Sequence, residues 1–101
     1  MRPLEYKEVR YRILKLLEQA LPEWTTERLI FLGVNDAGHQ VTKDEIASEC
    51  LYLRQGEYIE SRTVYSRVFA KDIWLHRLTK KGRDLIQHST GRDPGINEAL
   101  E

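Results

Sequence analysis

Thr42, followed at Glu45 by a carboxylate, is the feature that most restricts what this chain can fold into. A threonine just before a helix and a glutamate at its third position satisfy each other's exposed backbone N–H groups. The pair therefore predicts a helix beginning at Lys43, with Val41 and Ile46 flanking it as a hydrophobic staple. Ala47, Cys50 and Leu53 continue an apolar face at helical spacing, and Gly56 supplies a residue able to take the left-handed conformation that closes a helix. The expected helix covers residues 43–55, with Lys43, Asp44, Ser48, Glu49, Tyr52 and Gln55 mainly on its outward side.

Beyond Gly56 the helical period stops and β-formers take over. Tyr58-Ile59, Thr63-Val64-Tyr65 with Val68-Phe69, and Ile73-Trp74-Leu75 read as strand runs, and Ala70-Lys71-Asp72 as the tight connection between two of them. Thr79 then caps another helix, whose Leu85 and Ile86 face the core. Upstream, Val9, Ile13, Leu16, Leu17 and Ala20 recur at three- and four-residue spacing and predict a first helix over residues 4–20, ended by Pro22. Thr25 or Thr26 can cap a second helix carrying Leu29, Ile30, Leu32 and Val34, which Asn35-Asp36-Ala37-Gly38 stops. Ile30, Phe31, Leu32 and Val34 would also suit a strand, but the caps favour helix.

Three helices, a β-hairpin wing and a C-terminal helix make an α+β, mainly α architecture, the winged helix-turn-helix. At 101 residues and 41% hydrophobic, the chain suits one small core. Residues 1–90 are assigned to this domain. Residues 91–101, with Gly91, Pro94 and Gly95 and few large apolar side chains, are expected to form a flexible C-terminal tail.

Several function classes are excluded at this level. No apolar run approaches the ~18 residues of a membrane span, and Arg2, Glu5, Lys7, Glu8 and Arg10 interrupt any secretory h-region. The single cysteine, Cys50, has no internal disulfide partner, which agrees with a cytoplasmic location. His39, His76 and His88 are far apart without metal-ligand spacing, and Cys50 on an apolar helix face reads as a small buried thiol. There is no Gly-rich phosphate loop and no Ser/His/Asp set tied to a recognisable turn. The expectation is a protein that is not an enzyme, with no cofactor, no metal and no evident small-molecule effector.

Charge directs attention to nucleic acid, but only locally. Sixteen basic residues balance sixteen acidic ones, so the whole chain exerts no net pull on a polyanion. Residues 62–83 nevertheless carry Arg62, Arg67, Lys71, Arg77, Lys80, Lys81 and Arg83 against Asp72 alone. Residues 42–60 are the reverse, with Lys43 and Arg54 against Asp44, Glu45, Glu49, Glu57 and Glu60.

In a winged helix the third helix enters the major groove and the hairpin contacts flanking backbone. Lys43, Ser48, Tyr52 and Gln55 are then the base-facing candidates, and Arg62, Arg67, Lys71, Lys80 and Lys81 the phosphate-facing ones, with Tyr65 offering a stacking surface. Asp44 and Glu49 oppose this, since carboxylates beside phosphates repel them. The same charges also suit a solvated amphipathic helix and a hairpin that discourages edge pairing. Trp24, Trp74, Tyr6 and Tyr11 suit a core or an interface. Tyr6 and Leu14 lie off the apolar stripe of the first helix, which points to a homodimer.

The motifs together resemble a known group. Val9-Arg10-Tyr11 opening residues 9–17, Gly38-His39-Gln40 opening residues 38–46, Leu53-Arg54-Gln55-Gly56 opening residues 53–59 and Leu78-Thr79-Lys80-Lys81-Gly82 opening residues 78–85 are similar to the small winged-helix proteins of Mu-like phages and prophages. Such proteins are described as ArsR-like regulators. The resemblance runs to Gly91-Arg92-Asp93-Pro94-Gly95-Ile96. It implies a DNA-binding transcriptional regulator acting on double-stranded DNA; a protein-interaction module on the same fold is the alternative.

Overall fold

Local caps set the helix boundaries in the computed structural model, which describes residues 3–87 and Ile96. The elements are α1 (Pro3–Ala20), β1 (Thr25–Thr26), α2 (Glu27–Asp36), α3 (Lys43–Gln55), β2 (Ile59–Ser66), β3 (Lys71–Leu78) and α4 (Lys80–Ile86). Among the described residues this is an α+β, mainly helical chain with a three-stranded antiparallel sheet of order β1-β3-β2. The arrangement is compatible with a winged helix. No helix among these residues is long and apolar enough to cross a membrane.

The capping box at α3 is present in full: Glu45 N–H donates to Thr42 Oγ1 at 3.1 Å and Thr42 N–H to Glu45 Oε1 at 2.9 Å. The backbone N–H of Thr42 holds the Glu45 carboxyl below its ordinary pKa. That contribution is complete above the unfolded carboxylate range and fades as pH falls through the lowered folded value. Thr26, rather than Thr25, caps α2. Thr25 and Thr26 also form β1, pairing with His76 and Leu75 of β3, a strand too short for any periodicity to reveal.

Between α2 and α3 the side chain of Asn35 stands in for a backbone turn. Its Nδ2 donates to Phe31 O at 2.9 Å and Val41 O at 3.2 Å, while its Oδ1 accepts from Val41 N–H at 2.9 Å. Gly38 takes the left-handed conformation in this turn, with φ 102°.

Gly56 closes α3 differently from expectation. Its φ is −80°, and Glu57 carries the positive value, 65°. Glycine is required at position 56 for space, because a Cβ would stand 2.8 Å from the Tyr58 ring. The hairpin turn also moves: β2 runs on to Ser66, the turn is Arg67-Val68-Phe69-Ala70, and Ala70 adopts φ 52°. Ser66 pairs with Lys71, so Val68 and Phe69 belong to the tip and not to a strand.

Val9, Ile13, Leu14 and Leu17 of α1 are buried against Ile30, Val34, Ile46, Cys50, Leu53, Ile59, Leu78, Leu85 and Ile86. Of the two α1 side chains that point to a second copy, Leu14 is fully buried in the protein's own core and Tyr6 is half-buried. Residues 91–95 and 97–101 of the expected tail lie outside the described residues; Ile96 is partly buried against the core.

The Thr79-Lys80-Lys81-Gly82 segment docks α4 onto the end of α3. Thr79 N–H donates to Tyr58 O at 3.1 Å, Thr79 Oγ1 to Glu57 O at 2.8 Å, and Lys81 Nζ to Gly56 O at 2.8 Å. Gly82 comes so close that an added Cβ would lie 2.2 Å from Tyr58 O. Overpacking against backbone has no side chain to yield, so Gly82→Ala is expected to destabilise the fold by about 3 kcal/mol. Urea unfolding of the two proteins measures it, and equal midpoints would show that this contact is not tight.

Candidate nucleic-acid interface

One stripe of α3 is left to solvent. Lys43, Asp44, Ala47, Ser48, Leu51 and Gln55 are exposed, while Ile46, Cys50 and Leu53 on the other side are core. Lys43, Ser48 and Gln55 thus occupy the outward positions expected of them. Glu49 and Tyr52 do not.

Glu49 is buried and accepts from Arg10 Nε of α1. Tyr52 is half-buried, with the Arg10 guanidinium carbon 3.6 Å from its ring centroid. Of the two carboxylates that argued against a polyanion on this face, Glu49 is neutralised inside the protein and only Asp44 faces outward.

The basic residues of the wing are divided in the same way. Thr63, Trp74 and His76 lie on the sheet face toward α3, where the Arg54 guanidinium sits 4.6 Å from the Trp74 ring. Strand alternation puts Arg62 and Arg77 on the opposite face. There they flank Trp24 at 4.5 and 4.4 Å, and Arg77 Nε also donates to Glu60 at 2.9 Å. Lys81 donates to Gly56 O and lies 4.8 Å from the Tyr58 ring, which gives its ammonium a structural role.

Arg67 and Lys71 are exposed at the hairpin tip, and Lys80 is exposed at the start of α4. The eight-residue strand β3 separates these two ends, and its seven steps at about 3.3 Å each span roughly 23 Å. The seven cations therefore do not form one patch. The tip joins Arg67 and Lys71 to two exposed apolar side chains, Val68 at 86% and Phe69 at 56%.

A cavity of about 200 Å³ lies between the α3 stripe and the wing, lined by Glu27, Ala47, Leu51, Arg54, Trp74 and His76. At its floor His76 is almost wholly buried, and both ring nitrogens are engaged: Nδ1 with Ser61 Oγ at 2.7 Å, Nε2 with Glu27 Oε1 at 2.9 Å. Cys50 adjoins them. Burial, reinforced by the Glu27 and Glu49 carboxylates, pushes its thiol above the ordinary range. Sequence spacing gave no sign of this group. Its members lie on α2, α3, β2 and β3, and only the strand register could have announced the Ser61–His76 pairing.

No protein-family model matches the sequence, and no curated protein does either. A solved structure does. It is a crystal structure of a proposed transcriptional regulator from Thermoplasma acidophilum, superposable with a TM-score of 0.71 at 10% identity over 88% of this chain and 81% of that one. At that identity the likeness concerns the fold.

The Arg10–Glu49 pair ties α1 to the inner side of the exposed helix, and its loss leaves a carboxylate buried without a counter-charge. Arg10→Ala is therefore expected to cost about 3 kcal/mol, and Arg10→Met with Glu49→Leu to recover most of it. Chemical denaturation measures both; a loss for Arg10→Ala below about 0.5 kcal/mol would place the pair among ordinary surface contacts.

Proposed function

We propose that this protein is a winged-helix DNA-binding regulator in which α3 enters the major groove and the β2–β3 hairpin reaches the flanking backbone. The observation that carries this reading is the pairing of an outward α3 stripe, bare of its own protein, with a neighbouring hairpin whose exposed tip bears Arg67 and Lys71. Ser48 and Gln55 supply hydrogen bonds to base edges, while Ala47 and Leu51 suit thymine methyl groups. Lys43, Arg67 and Lys71 supply phosphate contacts, and Lys80 a separate one from the far end of the hairpin. Arg62 faces Trp24 and serves the fold.

The likeness in fold to a proposed transcriptional regulator supports the reading, as does the withdrawal of Glu49 from the outward face. The resemblance to proteins of Mu-like phages extends it to a phage- or prophage-borne regulator working in the cytoplasm. This role requires no catalysis.

A second reading has its own observation. Leu51, Val68 and Phe69 are exposed apolar side chains on the same two elements, and they suit docking to a partner protein.

Fluorescence anisotropy with a labelled mixed-sequence duplex separates the two. Binding is expected to weaken with salt along a log–log slope of about −0.9 per phosphate neutralised. Arg67→Ala with Lys71→Ala should flatten that slope by about two, and Arg62→Ala should leave it unchanged. Absence of binding at low salt would remove the DNA reading and leave the docking one.

A further inference from the structure

Below the α3 stripe, three side chains with three different donor atoms converge. Glu27 at the start of α2, Cys50 in the middle of α3 and His76 on β3 each offer one ligand atom, and these atoms all lie within 4.8 Å of one another. Cys50 and His76 are buried, and Glu27 is partly exposed at the cavity edge. We propose that Glu27, Cys50 and His76 form a binding site for a zinc-like divalent transition-metal ion.

The chemistry of the set fits such an ion. A thiolate and a carboxylate together cancel a double positive charge, and a neutral imidazole completes a mixed S, O and N set of the type borderline-soft ions take. Tetrahedral bonds of about 2.0–2.3 Å hold neighbouring ligand atoms about 3.3–3.8 Å apart. The ion thus needs the 2.9 Å His76–Glu27 contact to open by a few tenths of an ångström and Cys50 Sγ to draw in. Glu27 and His76 also line the 200 Å³ cavity, which opens to solvent and leaves a fourth position for water.

Ser61 gives the site its outer support. A ligating imidazole ordinarily donates its second N–H to a neighbour, which fixes the ring and the tautomer. Ser61 Oγ stands 2.7 Å from Nδ1, and a hydroxyl can donate or accept. In the neutral tautomer that suits these two partners, Nε2–H donates to Glu27 and Nδ1 accepts from Ser61. With an ion at Nε2, that proton is exchanged through solvent to Nδ1, which then donates to Ser61. The Cys50 thiol gives its proton to solvent as the sulfur–metal bond forms, so one proton is released per ion.

Cobalt(II) added to the reduced 101-residue chain tests the site. Expected is one equivalent bound, with the near-ultraviolet thiolate-to-cobalt band and the intense visible absorption of a tetrahedral ion, both displaced by Zn²⁺. Because Cys50 is the chain's only thiol, the band must vanish in Cys50→Ala. Glu27→Gln, at a partly exposed position, should retain the band with affinity lowered by more than the roughly tenfold that loss of an outer-shell partner costs. Zn²⁺ should raise the melting temperature of the natural chain and leave that of Cys50→Ala unmoved. Weak octahedral absorption without a thiolate band, or binding undiminished in Cys50→Ala, would overturn the proposal and assign the ion to other side chains.

Discussion

A buried imidazole with both nitrogens engaged is the constraint on which the relation between helix and wing depends. His76 sits in the middle of β3, opposite Thr25 of β1 on one side and Ser61 of β2 on the other. An unpartnered polar group at that depth costs on the order of 1–3 kcal/mol, so Ser61 and Glu27 must both be within reach. Ser61 fixes the register of the hairpin, and Glu27 fixes the hairpin against the start of α2. A slip of β3 by one residue would turn its side chains to the other face of the sheet and take the ring from both partners. The angle at which the wing leaves the body is therefore set from inside, by a polar contact, while the hairpin's outer half extends past the core.

Pairing inside the fold also redraws the charge map. Counted along the chain, α3 is acidic and the wing basic. In space, Glu49 is cancelled by Arg10, Glu45 is engaged in its cap, and Glu60 holds Arg77. Arg62 and Arg77 cover Trp24, and Lys81 closes the end of α3. What remains on the outside of α3 is close to neutral and partly apolar, and Arg67, Lys71 and Lys80 stand exposed at the two ends of the hairpin. Local charge sums mislead here because a two-residue period in strands and a 3.6-residue period in helices distribute neighbours in sequence to opposite faces.

The helix boundaries were legible because their signals are local. Thr42 with Glu45, Thr79, and the Asn35-to-Gly38 stop each act within a few residues, and the structure places α3 and its cap where those residues predict. The misplaced features depend on distant partners. The β-propensity of Val68 and Phe69 places the turn at Ala70-Lys71-Asp72; register, which propensity does not carry, puts them at the tip instead. Glu49 looked outward by spacing, and only the approach of Arg10 from α1 shows that it is inside. The Glu27–Cys50–His76 group draws on residues up to 49 positions apart and has no spacing to read.

The division between braced body and projecting tip separates stability from function in a usable way. Substitutions at Arg10, Gly82 or His76 act on packing, so any loss of binding they cause is confounded by loss of fold. Arg67, Val68, Phe69 and Lys71 are exposed and lie beyond the core, where substitutions ordinarily shift stability by less than about 0.5 kcal/mol. An apolar pair held in water between two cations gains nothing for the isolated chain from burial. Its cations suit a polyanion and its apolar side chains suit a surface that can exclude water, and both demands meet at one turn. Changing the charges and the apolar side chains there separately therefore distinguishes an electrostatic partner from an apolar one while leaving the rest of the molecule intact.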